Sequence, residues 1–247
     1  MGRWSRRVAR EFLRWLAVEP GRQWLDVGCG TGALTETILA LAQPAGVEAM
    51  DPSEGYLERA GRQIDDPRVT FGVGNAQAVP SPDRRFDAVV SGLVLNFVPD
   101  PPGAVEEMTR VAADGGVVAA YVWDYAEGMQ LIRRFWDSAM ALEPAAVSLD
   151  EGERFPLCRP EPLRSLFLGG GLTDVQVHAI EVSTPFRDFE DYWTPFLGGQ
   201  GPAPSYVTSL SEEGRLALRD RLRSSLPIAE NGTIVLTARA WAVRRYR

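Results

Sequence analysis

The sequence predicts an α/β fold: a doubly wound, mostly parallel sheet of seven strands with helices on both faces, followed by an elaborated C-terminal half. Three observations carry this. Apolar runs of strand length alternate with helical periodicities from residue 24 to 123, the pattern of successive strand–helix–strand units. The run FDAVVSG (86–92) is apolar almost without interruption, as a strand covered on both faces requires. Glycines close the first strand where a helix is about to start.

The elements follow in order. Residues 4–18 set Trp4, Val8, Phe12, Trp15 and Leu16 on one helical face, with Arg6, Arg7, Arg10 and Arg14 largely elsewhere. Trp24–Val27 is a short buried strand, and Ala33, Leu34, Thr37, Ile38 and Leu41 recur at helical spacing after it. GVEAMD (46–51) is a second strand ending on an acid. Ser53 caps a helix carrying Tyr56, Leu57, Ala60 and Ile64. Val69–Val73 and FDAVVSG are the third and fourth strands. Asp100 with Pro101 and Pro102 opens a helix with Ala104, Met108 and Val111 inward, which Gly115 and Gly116 are expected to stop. Val117–Trp123 is the fifth strand. Beyond it come a helix over 128–142, a proline-rich stretch (156–162) leading to a short helix, and a sixth strand at 174–182. An aromatic stretch, a helix near 209–225 and a last strand at 233–243 complete the chain. No linker, charge block or repeat divides the 247 residues, so one domain is expected: 24–124 a ligand-binding half, 125–232 an elaboration.

Composition narrows the chemistry. With 45% hydrophobic and 24% charged residues the chain is an ordinary globular one. A net charge of −7 argues against wrapping nucleic acid or lying on anionic lipid. All 26 basic residues are arginine, which excludes a Schiff-base or phosphate-loop lysine. The single histidine, His178, excludes a multi-histidine metal site, and no metal is expected. Cys29 and Cys158 fit no metal or redox spacing and read as free thiols in a reducing compartment. No apolar run nears the roughly 18 residues of a membrane span, and the arginine-rich start lacks the apolar core of a secretory signal. A cytoplasmic protein is expected.

The loop Asp26-Val-Gly28-Cys29-Gly30-Thr-Gly32-Ala33 turns a strand into a helix. Glycines there let the backbone approach a ligand, and the helix N-terminus offers free N–H groups and positive potential. Spacing alone leaves two readings, because Gly28, Gly30 and Ala33 with Asp51 also satisfy a dinucleotide fingerprint.

Four ordered motifs decide between them. LDVGCGTGALT resembles the signature loop of class I S-adenosylmethionine-dependent methyltransferases. MDPSEGYLERA resembles their second strand ending in a ribose-binding acid, and GNAQAVPSPDRRFDAVVSGLVLNFVPDP resembles their adenine-contacting loop and fourth strand. The match covers about residues 24–124, in the style of the ubiquinone-biosynthesis branch that methylates small molecules, and implies a Rossmann-like sheet. The resemblance implies that Asp26 and the backbone of Gly28, Cys29, Gly30 and Gly32 hold the methionine moiety. Asp51, with Pro52 beside it, would accept hydrogen bonds from both ribose hydroxyls. Asn75 and Ala76 would read adenine, although many relatives carry Asp at position 75. The carbonyl of Ser91 would meet the cofactor amino group beside Gly92 and Leu93, and Arg3 and Trp4 would close over the carboxylate end. Each has a plainer reading: Asp51 as a cap, Asn75 as a turn residue, Trp4 as core and Cys29 as a small residue tolerated among glycines. The helix N-terminus would lower the Cys29 thiol pKa, though nothing gives it a nucleophilic role.

The resemblance leaves catalytic residues unassigned. Asn96 and Phe97 after the fourth strand, and Asp124 and Tyr125 after the fifth, stand where open α/β sheets bind ligands. His178 is unique but sits mid-strand, away from any strand end, and reads as packed or surface. Phe186, Phe189, Tyr192, Trp193 and Phe196 read either as core or as a lid lining an apolar acceptor pocket, with Tyr192 and Trp193 as acceptor contacts. The leading function is methyl transfer from S-adenosylmethionine to a small apolar or aromatic molecule. The alternatives are a non-catalytic cofactor-binding or scaffold protein and, less favoured, an NAD(P)-dependent oxidoreductase. No nucleic-acid or membrane partner is expected.

Overall fold

A computed structural model describes residues 2–169, 174–198 and 201–247. Helix α1 (Gly2–Leu16) leads into β1 (Gln23–Val27), α2 (Ala33–Leu41), β2 (Gly46–Asp51), α3 (Glu54–Gln63), β3 (Val69–Val73) and β4 (Phe86–Gly92). Then follow α4 (Pro101–Val111), β5 (Ala112–Trp123), α5 (Gln130–Leu142), α6 (Glu151–Arg154) and α7 (Pro160–Gly169). The chain ends with β6 (Gln176–Phe186), α8 (Phe189–Trp193), α9 (Pro202–Ser209), α10 (Glu212–Ser225) and β7 (Ile234–Tyr246). The seven strands run in the order β3-β2-β1-β4-β5-β7-β6. Pairs β1–β2, β1–β4, β2–β3 and β4–β5 are parallel. Strand β7 runs against β5, since Arg247 bonds to Gly115 and Gly116 while Arg239 bonds to Asp124.

The described residues gather into two compact units. Unit 1 takes those of Met1–Val122, Pro160–Ile180 and Trp241–Arg247, and unit 2 those of Trp123–Arg159 and Glu181–Ala240.

In unit 1 the apolar face of α1 is sealed at Val8, Phe12 and Leu16, and α1 packs on α2. Ser53 caps α3 by accepting from the Tyr56 N–H, and Asp100 caps α4 by accepting from the Gly103 N–H. Both caps were legible from residue type. The end of α4 was not. The helix stops at Val111 and β5 starts at once, so Gly115 and Gly116 lie inside the strand. Gly115 takes a φ of +78°, and a Cβ on Gly116 would stand 2.9 Å from the Ala113 carbonyl oxygen and 3.0 Å from that of Asp87. They serve an irregularity in the β4–β5 ladder, where the register shifts between Phe86 and Ala88.

Unit 2 holds the other departures. Strand β6 runs on to Phe186, four residues past expectation, and two helices, α9 and α10, stand where one was expected. Phe186, Phe189, Tyr192, Trp193 and Phe196 are all buried. Phe196 stacks on Phe135 at 4.5 Å between ring centres, Phe186 meets Tyr192 edge-on at 5.4 Å, and the Tyr192 hydroxyl donates to the Leu131 carbonyl at 3.0 Å. The lid reading of this stretch is therefore corrected: it is the aromatic core of unit 2. A ring that is 0–3% exposed on both faces already has its partners.

Candidate functional site

The C-terminal ends of β1, β2 and β4 bring the expected ligand residues of unit 1 together. Asp26 lies at the end of β1, 1% exposed. The Thr35 hydroxyl, one turn into α2, donates to its Oδ2 at 2.6 Å, while Oδ1 is buried with no partner. Burial raises the Asp26 pKa from 3.8 to about 7, against the pull of the Thr35 hydrogen bonds.

The glycine loop that follows takes its shape from three left-handed residues: Gly28 (φ +76°), Gly30 (+54°) and Gly32 (+86°). A Cβ on Gly28 would sit 2.6 Å from Val94, and one on Gly32 would sit 2.5 Å from Ile64. Those two glycines let the loop close onto its own scaffold. A Cβ on Gly30 would meet nothing within 4 Å, so that glycine faces open space. Asp51 fastens the loop to β2: its Oδ2 accepts from the Gly30 N–H and its Oδ1 from the Ser53 N–H, both at 2.9 Å. Each carboxylate oxygen keeps a second lone pair for a further donor.

Cys29 contributes backbone only. Its N–H donates to the Met50 carbonyl, its carbonyl accepts from Gly32, and its side chain packs with Ala49 and Leu57. The expectation of a lowered thiol pKa is reversed. Burial, with Asp26 and Asp51 nearby, pushes the thiol up.

Asn75 forms a turn, its Oδ1 accepting from the Gln77 N–H at 2.9 Å, with Ala76 buried behind it. Ser91 is fully buried and its hydroxyl donates to the Val27 carbonyl, tying β4 to β1. Gly92 admits the Tyr121 ring, whose hydroxyl would lie 2.6 Å from a Cβ there. Leu93 holds a φ of +64° and donates its N–H to the Tyr121 carbonyl. The next turn, Leu95–Phe97, leaves the Asn96 Nδ2 buried without a partner and the Phe97 ring 61% exposed. Pro52 sits between Asp51 and the α3 cap. Arg3 lies over the Trp4 ring at 4.3 Å, and Trp4 itself is buried.

Sequence reasoning missed Thr35 and Tyr121. Thr35 stands in the quoted signature, where its reach back to Asp26 was the available signal. Tyr121 lies in a strand buried on both faces and gives no such signal.

In unit 2, Asp124 is not a free carboxylate. Arg239 holds its Oδ2 through Nε at 2.7 Å, and the Glu127 N–H takes Oδ1 at 3.0 Å. Its role is to fix the turn after β5. Tyr125 is 3% exposed and packs on Phe155. Tyr192 and Trp193 belong to the core described above. His178, in unit 1, stacks on Trp15 at 5.4 Å on the surface, as a mid-strand histidine should.

Residues 25–120 match the family model described as a methyltransferase domain. A demethylmenaquinone methyltransferase from Symbiobacterium thermophilum is 38% identical over 120 residues, 47% of each chain. The chain thus spans about half the length of the curated relatives it matches. Among solved structures, a protein from an antibiotic biosynthesis pathway of Anabaena variabilis aligns with a TM-score of 0.65 at 18% identity, covering 96% of both chains. The Haemonchus contortus phosphoethanolamine N-methyltransferase 2, solved with S-adenosyl-L-methionine, aligns at 0.59 and 16% identity, covering 97% of this chain and 52% of that one. At such identities the structures speak for the fold alone. No helix among the described residues is long and apolar enough to cross a membrane. Over residues 25–120 the chain is thus similar to the methyltransferase domain family.

Proposed function

We propose that this protein transfers a methyl group from S-adenosylmethionine to a small apolar or aromatic molecule. The observation that carries the proposal is the pairing of a buried, half-satisfied acid with an open glycine. Asp26 keeps one oxygen without a partner, and Gly30 leaves free space on its Cβ side. A cationic amine beside Asp26 would satisfy the first, and a ligand lying along the loop would use the second.

The residues present fit the cofactor. Asp26 and the backbone of Gly28–Gly32 would hold its amino-acid end, and Asp51 its vicinal diol. Asn75 and Ala76 would meet the adenine edge, with Ser91, Gly92 and Leu93 beside them. When bound, S-adenosylmethionine supplies an electrophilic methyl group on a sulfonium. The chain then has to hold the acceptor in line and keep water out. Asn96 is the best-placed group in unit 1 to orient an acceptor, because its buried amide donor lacks a partner, and the exposed Phe97 ring offers a surface for a flat molecule. Asp124 is spent on Arg239 and supplies no base. The demethylmenaquinone methyltransferase relative supports an acceptor of the quinol type.

The NAD(P) reading is disfavoured because β7 runs against β5, which departs from a second parallel nucleotide-binding half. Calorimetric titration with S-adenosylmethionine, S-adenosylhomocysteine and NAD tests the reading. Micromolar binding of the first two, lost in Asp51→Ala, is expected. Preference for NAD would overturn it. Binding without turnover over a panel that includes a demethylmenaquinol would leave a non-catalytic binder.

A further inference from the structure

The loop glycines do not account for how Asp26 is held. Helix α2 starts behind Gly32, an N-cap with no side chain to bond the free N–H groups of the first turn. The carboxyl of Asp26, on the preceding strand β1, takes that place. Its Oδ2 accepts from the Thr35 hydroxyl at 2.6 Å, and the Thr35 backbone N–H bonds to the same group. Oδ1 is buried without a partner.

The direction of the Thr35 hydroxyl sets it apart. A threonine inside a helix can bond back to the carbonyl four residues before it, as Thr37 does to Ala33 at 2.7 Å. Thr35 turns away from its helix instead and gives its single hydroxyl proton to Asp26. It is 0% exposed, so it touches no ligand and can act only through that carboxyl.

The surroundings of Asp26 otherwise oppose its ionisation. Burial does so most, and Asp51 on β2 adds its charge in the same sense. Cys29 in the loop and Tyr121 on β5 also face Asp26, and burial keeps both the thiol and the phenol neutral. The arginines of α1, the helix packed on α2, lie on its exposed side, with Arg6 paired to Glu36. Thr35 supplies the two contacts that favour the charged form.

We propose that Thr35 is a positioning residue of the ligand site: by occupying Oδ2 it holds Asp26 as a carboxylate whose Oδ1 is left to meet the ligand's ammonium group. The inference deepens the proposed function and rests on it in taking the ligand to be S-adenosylmethionine. The hold of Thr35 on Asp26 belongs to the chain itself and can be read without ligand.

Two measurements test it. Carboxyl carbon NMR of the ligand-free full chain follows the Asp26 titration, and calorimetry follows S-adenosylhomocysteine affinity from pH 6 to pH 9. Thr35→Val and Thr35→Ala both remove the hydroxyl, the first at constant shape and the second with no bulk to misfit, while Thr35→Ser keeps it. The Asp26 midpoint, about 7 in the wild type, should rise by about one pH unit in either deletion, the tenfold effect of one hydrogen bond to a charged group. Thr35→Ser should restore it. Affinity in the deletions should be about tenfold below wild type at pH 6 and within about threefold of it at pH 9, where Asp26 is ionised in both. A merely structural role would lower affinity equally at both pH values, and that result would overturn the proposal. An unmoved midpoint in the deletions, or a Thr35→Ser variant that behaves as they do, would overturn it as well. A wild type that binds no S-adenosylhomocysteine, with the midpoints moving as stated, would overturn the cofactor reading and the ligand named here, and leave the hold of Thr35 on Asp26 standing.

Discussion

Replacing Asp26 by Asn should make the protein more stable at alkaline pH while crippling ligand binding. The Asp26 carboxyl titrates at 3.8 outside the fold and at about 7 inside it. Below pH 3.8 it is protonated in both states and costs nothing. Between 3.8 and 7 the unfolded chain has released its proton and the folded one has not, so stability falls as pH rises. Above 7 the whole penalty is present, about 4 kcal/mol at 1.36 kcal/mol per pH unit. Asn cannot titrate and can still accept from Thr35. The stability difference between Asp26→Asn and the wild type should therefore grow by about 4 kcal/mol from pH 4 to pH 8, on the order of 10 °C in Tm for a chain of this size. Differential scanning calorimetry across that range measures it. S-adenosylhomocysteine carries an ammonium group that ionised Asp26 would hold, so wild-type affinity should rise up to tenfold per pH unit below 7 and level off above. In Asp26→Asn that rise should vanish and binding should be at least tenfold weaker at pH 8. A Tm difference that stays flat with pH would refute the burial argument. A pH-independent affinity in the wild type would refute the assignment of Asp26 to the cationic end.

Other substitutions separate folding from binding. Gly30→Ala places a methyl in open space at a left-handed position, so it should cost only about 1–2 kcal/mol yet lower S-adenosylhomocysteine affinity more than tenfold by calorimetry. Gly32→Ala adds a 2.5 Å encounter with Ile64 to the same strain, and its loss should appear first in Tm. Arg239→Ala would leave the buried Asp124 charge without its partner and should cost about 3 kcal/mol in urea unfolding, with cofactor affinity unchanged in the folded protein. Trp193→Ala should destabilise by about 3–5 kcal/mol, as for a large core aromatic. A selective loss of turnover at normal stability would return Trp193 to the acceptor pocket.

What could be read from the sequence had local causes. The caps of α3 and α4 follow from Ser53 and Asp100 each bonding three residues ahead. The glycine loop is legible because φ above zero, close approach and a helix start all fall within seven residues. The readings that failed depend on partners distant in sequence. Arg239, which removes Asp124 from the candidate bases, lies 115 residues downstream. Phe135, which makes core of the Phe186–Phe196 stretch, lies on another helix. An aromatic run has the same composition as a pocket wall or as a core, and only its neighbours decide between them. Gly115 and Gly116 failed for a subtler reason. Two glycines after a helical pattern signal a C-terminus, and a strand irregularity needs the same freedom.

Backbone strain points to the same strand ends as the chemistry does. Among the described residues, five that are not glycine take a positive φ: Ala17, Gln43, Arg84, Leu93 and Asp174. Four of them sit in exposed positions, where strain is cheap and a turn explains it. Leu93 is the exception. It is half-buried, a bulky residue at +64°, in a conformation that costs roughly 1–2 kcal/mol for an L-residue. Glycine would adopt it freely, so the side chain is kept for a reason other than stability. Leu93 follows Ser91 and Gly92 and precedes Val94, whose side chain fills the space that a Cβ on Gly28 would occupy. Its twist aims the chain from β4 onto the glycine loop and starts the turn that carries Asn96 and Phe97. Together with the destabilising burial of Asp26, this puts two separate energetic costs at the ends of two adjacent strands. A fold selected only for stability would shed both with single substitutions, Asp26→Asn and Leu93→Gly. Their presence side by side is what a ligand that rewards them would require.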